Sequence, residues 1–167
     1  MVSLGLLILR GVFGLAMVAH GSQKLFGWFG GGGLKGWTGH VEALGFRPAP
    51  WWALVAALSE FGGGLFVALG LLTPFAAAAV IGAMLIATVL VLPKGFFGGF
   101  ELPLLMLVAV GSVGIAGPGS ISIDHLLELN FPEPLTFLVL LAIVLAGAYT
   151  GLATRRIKPA VVASKAA

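Results

Sequence analysis

Two charged side chains interrupt long apolar runs of the chain. Arg10 lies within the apolar segment Ser3–Ala19, and Glu60 lies within Trp51–Leu72. A charge near the centre of a bilayer costs about 2.5–3.5 kcal/mol on insertion scales, so both side chains are expected to face the inside of a helix bundle and to pair with each other. Three interpretations of these two residues stay open: an ion pair that only fixes helix register, a polar site that binds a ligand head group or passes protons, or two unpaired residues that face other subunits.

A polar stripe follows Arg10 along the same predicted helix. Its members recur at three- and four-residue steps, which places them on one helix face: Arg10, Gly14, Met17, Gly21 and Lys24. His20 lies beside the stripe, and Trp51 opens the second apolar segment. We predict that His20, Lys24 and Trp51 contact a lipid head group or a quinone. The alternative is that His20 and Lys24 only anchor the helix at the membrane surface.

Glu101 opens the fourth apolar segment. A carboxylate there suits the positive end of a helix, so Glu101 either caps that helix or closes the buried cluster with Arg10 and Glu60. We predict a buried polar cluster of Arg10, Glu60 and Glu101, and we assign no catalytic residue. The three histidines, His20, His40 and His125, are scattered without ligand spacing, so no metal site is predicted.

The composition excludes several classes of protein. Of 167 residues, 59% are hydrophobic and 9% are charged, and the mean hydropathy is +1.12. Soluble domains usually carry about 25% charged residues. A soluble enzyme, a disordered tail and a nucleic-acid binder are therefore excluded, the last because a net charge of +3 is not gathered on one basic face. The chain has no cysteine, which excludes disulfides and thiolate chemistry.

The apolar runs predict an all-α, polytopic membrane helix bundle. A helix needs about 20 apolar residues to cross the bilayer core. Five segments qualify or nearly qualify: Ser3–Ala19, Trp51–Leu72, Phe75–Leu92, Leu102–Ala116 and Leu135–Leu152. Thr73–Pro74 is the only break between the second and third, which predicts a tight helical hairpin. Residues 34–46 have an amphipathic pattern, and we predict a helix lying in the membrane interface.

The distribution of charge predicts an orientation. With five spans, eight of the nine basic residues fall on one side, which also carries the C-terminus: Lys24, Lys35, Arg47, Lys94, Arg155, Arg156, Lys158 and Lys165. The opposite side carries Asp124, Glu128 and Glu133. The positive-inside rule then places the N-terminus outside and the C-terminus in the cytoplasm.

One row of small residues marks the third predicted span. Ala79, Ala83 and Ala87 recur every four residues, and such a row permits close packing of membrane helices.

The order and spacing of several short motifs resemble the DoxX family of small bacterial and archaeal membrane proteins over about residues 4–128. The matching pieces are Leu9–Arg10 with Gly14, His20–Gly27, Leu44–Phe46 with Pro50, Glu60–Gly64, Leu69–Pro74, Glu101, and Gly117–Ser120 with Asp124. The resemblance implies a four-helix membrane bundle. It also implies a link to quinone-based respiration, since related small subunits belong to thiosulfate:quinone oxidoreductase. The fifth helix and the basic tail depart from the family pattern.

These observations lead to one domain hypothesis and one functional hypothesis. Residues 1–130 are expected to form a DoxX-like four-helix core, 131–155 an additional transmembrane helix, and 156–167 a basic cytoplasmic tail.

We expect a subunit of a quinone-linked redox assembly in a bacterial or archaeal cell membrane, an accessory subunit rather than an enzyme alone. The alternatives are a structural subunit of a respiratory or photosynthetic complex and a small oligomeric transporter. No cofactor is expected to be built into the chain, and a quinone or a bound phospholipid is the expected ligand. The expected partners are lipids and other membrane subunits or further copies of the chain, with no nucleic acid.

Overall fold

The computed structural model describes residues 1–156, and all regular structure in that range is helical. The helices are α1 (Val2–Phe26), α2 (Gly33–Ala43), α3 (Ala49–Leu69), α4 (Thr73–Val91), α5 (Glu101–Ala116), α6 (Ile123–Leu126) and α7 (Leu135–Thr154). Short 3-10 turns occupy Trp28–Gly30, Leu92–Lys94 and Phe96–Gly98. The all-helical prediction is confirmed. The predicted basic tail lies outside the described residues apart from Arg156.

Five of these helices correspond to the five predicted spans. Four of them, α1, α3, α4 and α7, are long and apolar enough to cross a membrane, and α5 is a shorter apolar helix of 16 residues. The main difference from the prediction is α1, which continues seven residues past Ala19 to Phe26 and ends at Gly27 in the left-handed conformation. The polar residues His20 and Lys24 therefore belong to α1, as the predicted stripe from Arg10 to Lys24 requires.

Glycines fix the register between α1 and α3, the most extensively packed pair of helices. A Cβ atom built on Gly14 would lie 2.6 Å from the backbone nitrogen of Ala68, and one built on Gly21 would lie 2.6 Å from Cα of Phe61. No side chain fits at either position, so the two backbones are in direct contact there. Because the helices are antiparallel, later residues of α1 face earlier residues of α3.

Hydrogen bonds from the turn between α3 and α4 to Asp124 of α6 stabilise that turn. Asp124 is buried, and its Oδ1 atom accepts a hydrogen bond from the backbone N–H of Leu72 at 2.7 Å. Its Oδ2 atom accepts from the backbone N–H of Thr73 at 2.9 Å and from the Thr73 hydroxyl at 2.7 Å. Asp124 thus satisfies N–H groups that the start of α4 leaves without a helical partner. The predicted break at Thr73–Pro74 is where α4 begins.

Helix α4 is the central helix, and it packs against α3, α5 and α7. The additional helix α7 is attached at three levels. Phe137 is buried and lies against Gly114 of α5, and Val144 lies against Gly82 of α4. Beyond its last turn, the backbone N–H of Arg156 donates to the carbonyl of Gly45 at 2.7 Å. The fifth helix is therefore an integral part of the bundle.

The charged residues gather at opposite ends of the bundle. At one end, the hydroxyl groups of Ser3 and Ser120 are 2.8 Å apart, which places the start of α1 beside the loop that carries the acidic residues. We call this the acidic end. At the other end, which we call the basic end, the chain beyond α7 meets the loop before α3. The membrane side of each end stays a prediction.

Candidate functional site

A buried ion pair joins α1 to α3. The Lys24 ammonium donates to Oε1 of Glu60. The Glu60 side chain is 2% exposed and the Lys24 side chain 20% exposed. Lys24 reaches Glu60 because of the register between α1 and α3. Contact between Gly21 and Phe61 brings the last turn of α1 to the middle of α3. An ionised carboxylate at this depth requires a partner, and Lys24 provides it.

The second carboxylate oxygen of Glu60 is unpaired within residues 1–156. Oε2 is fully buried and has no hydrogen-bond partner among the described residues. Buried polar atoms in folded proteins are nearly always hydrogen-bonded, so an unpaired carboxylate oxygen is an exception that needs an explanation. In this position it is free to accept a hydrogen bond or a proton.

Helix α2 forms a roof over the ion pair. The face of the Trp37 ring of α2 lies against the Lys24 ammonium, which is 4.3 Å from the ring centroid. The indole N–H of Trp37 donates to the carbonyl of Ala53 on α3 at 3.1 Å, which fixes the ring in that position. Val41 and Phe46 are buried next to it. The amphipathic segment therefore contributes its apolar face to the site, and its location in the membrane interface stays a prediction.

Two cavities adjoin the pair. The larger, of about 220 Å³, lies between α1, α4 and α5, and its lining includes Met17, His20 and Met106 as well as both charged residues. The smaller, of about 70 Å³, lies under the α2 roof and is lined by Trp37 and Trp52 together with both charged residues. The ion pair thus forms a shared wall between two largely apolar cavities, with a histidine on one side and two indole rings on the other.

The predicted pair of Arg10 and Glu60 is wrong. The Arg10 guanidinium is buried, and it donates from its two terminal nitrogens to the carbonyls of Pro118 and Ile121. The cause is the helix register, because Arg10 lies at the level of Gly70, just past the end of α3, whereas Glu60 lies at the level of Gly21. Arg10 therefore belongs to the acidic end, where it ties the loop after α5 to α1, and it is not part of the site.

The other predicted site residues are divided between the site and its surroundings. His20 and Lys24 line a cavity together with Glu60. Glu101 is the first residue of α5 and is half-buried, and the cavity wall is formed by its neighbours Leu102 and Pro103. Trp51 is 60% exposed, and its neighbour Trp52 lines the smaller cavity instead.

The sequence interpretation missed Trp37 as a site residue. Its signal was present in the amphipathic pattern of residues 34–46, which marks an apolar face without indicating what that face covers. No group of three or more potential metal ligands occurs in residues 1–156. The site offers a hydrogen-bond donor, a hydrogen-bond acceptor and a histidine, all beside apolar space.

Comparison with known proteins gives one family. The DoxX family model matches residues 5–93, which extend from α1 through α4 and include both members of the ion pair. The match ends before α5, so it is shorter than the stretch of about residues 4–128 on which the sequence resemblance was based. No curated protein and no solved structure matches the chain.

Proposed function

This chain belongs to the DoxX family of membrane proteins, and we propose that it is a small integral-membrane subunit of a quinone-linked redox assembly. In this proposal the site formed by Lys24 and Glu60 receives the quinone head group. The electrons come from a partner subunit, and this chain supplies the polar contacts and protons that the head group needs.

The observation that carries the proposal is the unpaired Oε2 atom of Glu60. It is buried, and Glu60 lines an apolar cavity on each side. A ligand suited to this position is largely apolar and presents one or two polar atoms, as small-molecule sites in general require. A quinol hydroxyl can donate to Oε2, and a quinone carbonyl can accept from Lys24.

The pair also suits the proton chemistry of a quinone. Reduction of a quinone to a quinol takes up two electrons and two protons. The Lys24 ammonium can give one proton to a ring oxygen when a quinone is reduced, the Glu60 carboxylate can accept one from a hydroxyl when a quinol is oxidised, and His20 lies in the same cavity as both.

The experiment is a binding titration with purified protein in nanodiscs. The probe is a fully substituted benzoquinone with an alkyl tail, and the signal is the quenching of tryptophan fluorescence, since Trp37 and Trp52 line the smaller cavity. A hydrogen bond to a charged group contributes about 1.5–3 kcal/mol, so Glu60→Gln and Lys24→Gln should each weaken binding by roughly tenfold to a hundredfold.

The exposed pair of Glu42 and Arg47 at the same end supplies the matched control. Glu42→Gln and Arg47→Gln change the same charges outside the cavities and should leave binding unchanged. Equal affinity in wild type, Glu60→Gln and Lys24→Gln would overturn the proposal. Displacement of the quinone by phosphatidylglycerol at equal concentration would also overturn it, since the site would then be a lipid site.

A further inference from the structure

A third cavity lies next to the site, between α3, α4 and α7. It has a volume of about 270 Å³, and its lining includes Ser59, Ala79, Gly82, Val144 and Ala148. Its wall is almost entirely apolar and built of small side chains. We call it the α7 slot because the additional helix closes its outer side.

The α7 slot adjoins the site. Trp52, Ala56 and Ala83 line both the slot and the smaller cavity, whose lining also includes Lys24 and Glu60. The slot and the smaller cavity therefore meet at these three side chains, with Glu60 in the lining of one and small apolar side chains in the lining of the other. A polar atom at one end and an apolar groove at the other are suited to an amphiphile.

The alanine row of α4 forms one wall of these adjoining cavities. The sequence predicted that Ala79, Ala83 and Ala87 allow close helix packing, but all three are only half-buried and face cavities. Close packing occurs one residue away, where Gly82 meets Val144 of α7. The row therefore leaves a groove open along α4 while its neighbour holds α7 in place.

The volumes favour a ligand that uses more than one cavity. Pockets that hold small molecules usually measure about 300–1,000 Å³. The cavities at the ion pair and the α7 slot measure about 70, 220 and 270 Å³, each below that range. A ligand of that size whose head group contacts Glu60 would extend beyond one cavity, and the α7 slot adjoins the smaller one.

We propose that the α7 slot binds the apolar tail of the ligand whose head group contacts Lys24 and Glu60, and that the site is therefore selective for long-tailed quinones. The inference rests on the proposed function and adds to it the tail-binding surface and the role of the fifth helix. Trp52 lies at the junction of head and tail, and Ala79 and Ala148 lie along the tail.

The absence of cysteine makes a sharp test possible. Ser59→Cys introduces a single thiol into the slot by a nearly isosteric change, and Ser112→Cys introduces one on the exposed face of α5 as the matched control. Alkylation by N-ethylmaleimide is then timed with a long-tailed quinone, with the same ring lacking a tail, and without ligand. The ring is fully substituted, so it does not react with thiols.

At ten times its Kd, the long-tailed quinone should slow alkylation of the slot cysteine about tenfold, because only the unliganded fraction reacts. The ring without a tail should have no effect there, and neither compound should protect the α5 cysteine. As a second measurement, Ala79→Leu should reduce the affinity for the long-tailed quinone to that for the bare ring. Ala146→Leu, on the exposed side of α7, is the control and should leave the affinity for the long-tailed quinone unchanged.

The outcomes separate this inference from the proposed function. Normal quenching of tryptophan fluorescence without protection of the slot cysteine would overturn the tail assignment and leave the head-group site standing. Equal protection by the bare ring would also overturn the tail assignment. If neither quinone quenches the fluorescence, the proposed function fails and the tail assignment fails with it.

Discussion

Replacing Lys24 by methionine should destabilise the protein strongly. The substitution keeps an apolar side chain of similar length, so packing against Trp37 is largely retained. It removes the only hydrogen-bond partner that Glu60 has among the described residues. The carboxyl group, whose side chain is 2% exposed, is then left buried without compensation.

The magnitude follows from the burial of the two partners. Removing one member of a buried ion pair costs about 3–5 kcal/mol, and loss of the cation–π contact with Trp37 adds about 0.5–2 kcal/mol. Because the Lys24 side chain is 20% exposed, the site is not completely dry, and we expect a total near the lower limit, about 3–4 kcal/mol. The unfolding equilibrium constant should therefore rise more than a hundredfold.

The substitutions on the two sides of the pair should not be equivalent. Glu60→Gln leaves a lysine that can reach toward water along its flexible stem, so its cost should be smaller than that of Lys24→Met. The assay is equilibrium unfolding in mixed micelles, followed by helical circular dichroism. Arg47→Met serves as the control, because it breaks an exposed pair that contributes about 0–1 kcal/mol. If Lys24→Met is no more costly than Arg47→Met, the interpretation of a buried, uncompensated carboxylate is refuted.

Three further predictions concern the fold. Gly21→Ala should lower the free energy of unfolding by about 1–3 kcal/mol, since its Cβ would lie 2.6 Å from the α3 backbone. Gly11→Ala has open space and should be neutral or stabilising, so equal midpoints of the two variants in thermal unfolding in detergent would contradict the helix register. Asp124→Asn should lower the free energy of unfolding by about 1–3 kcal/mol, because one of the two oxygens that accept hydrogen bonds at the start of α4 is replaced by a donor. An unchanged midpoint in the same assay would show that α4 does not depend on this cap. Ser120→Cys should react with an impermeant maleimide in intact cells and Lys94→Cys only after lysis, and the reverse pattern would invert the predicted orientation.

The sequence was sufficient for the helices because their signals are local. Apolar runs broken by charge or by Thr73–Pro74 mark the spans without any knowledge of tertiary contacts. The amphipathic pattern of residues 34–46 likewise predicts α2, which begins and ends within three residues of the expected limits. The gathering of basic and acidic residues at opposite ends follows directly from the number of spans.

The pairing of the charges could not be predicted in the same way. It depends on how far α1 is displaced along α3, and that displacement is fixed by backbone contacts at Gly14 and Gly21. A sequence shows which glycines allow such contacts without showing what each one meets. Charges usually pair, so the sequence predicts a carboxylate partner for Arg10. Its partners are instead the carbonyls of Pro118 and Ile121, which no sequence pattern indicates.

The position of α7 has a consequence for the biogenesis of the protein. About 40 residues separate the end of α4 from the start of α7, which corresponds to roughly 2–8 s of translation at ordinary rates. During that interval α7 is absent, so the α7 side of the alanine row is open to the surrounding bilayer and accessible to a lipid acyl chain. When α7 docks, with Val144 against Gly82, it must either displace that lipid or trap it. The ligand proposed for the α7 slot would therefore have to replace a lipid taken up from the membrane in which the protein was assembled.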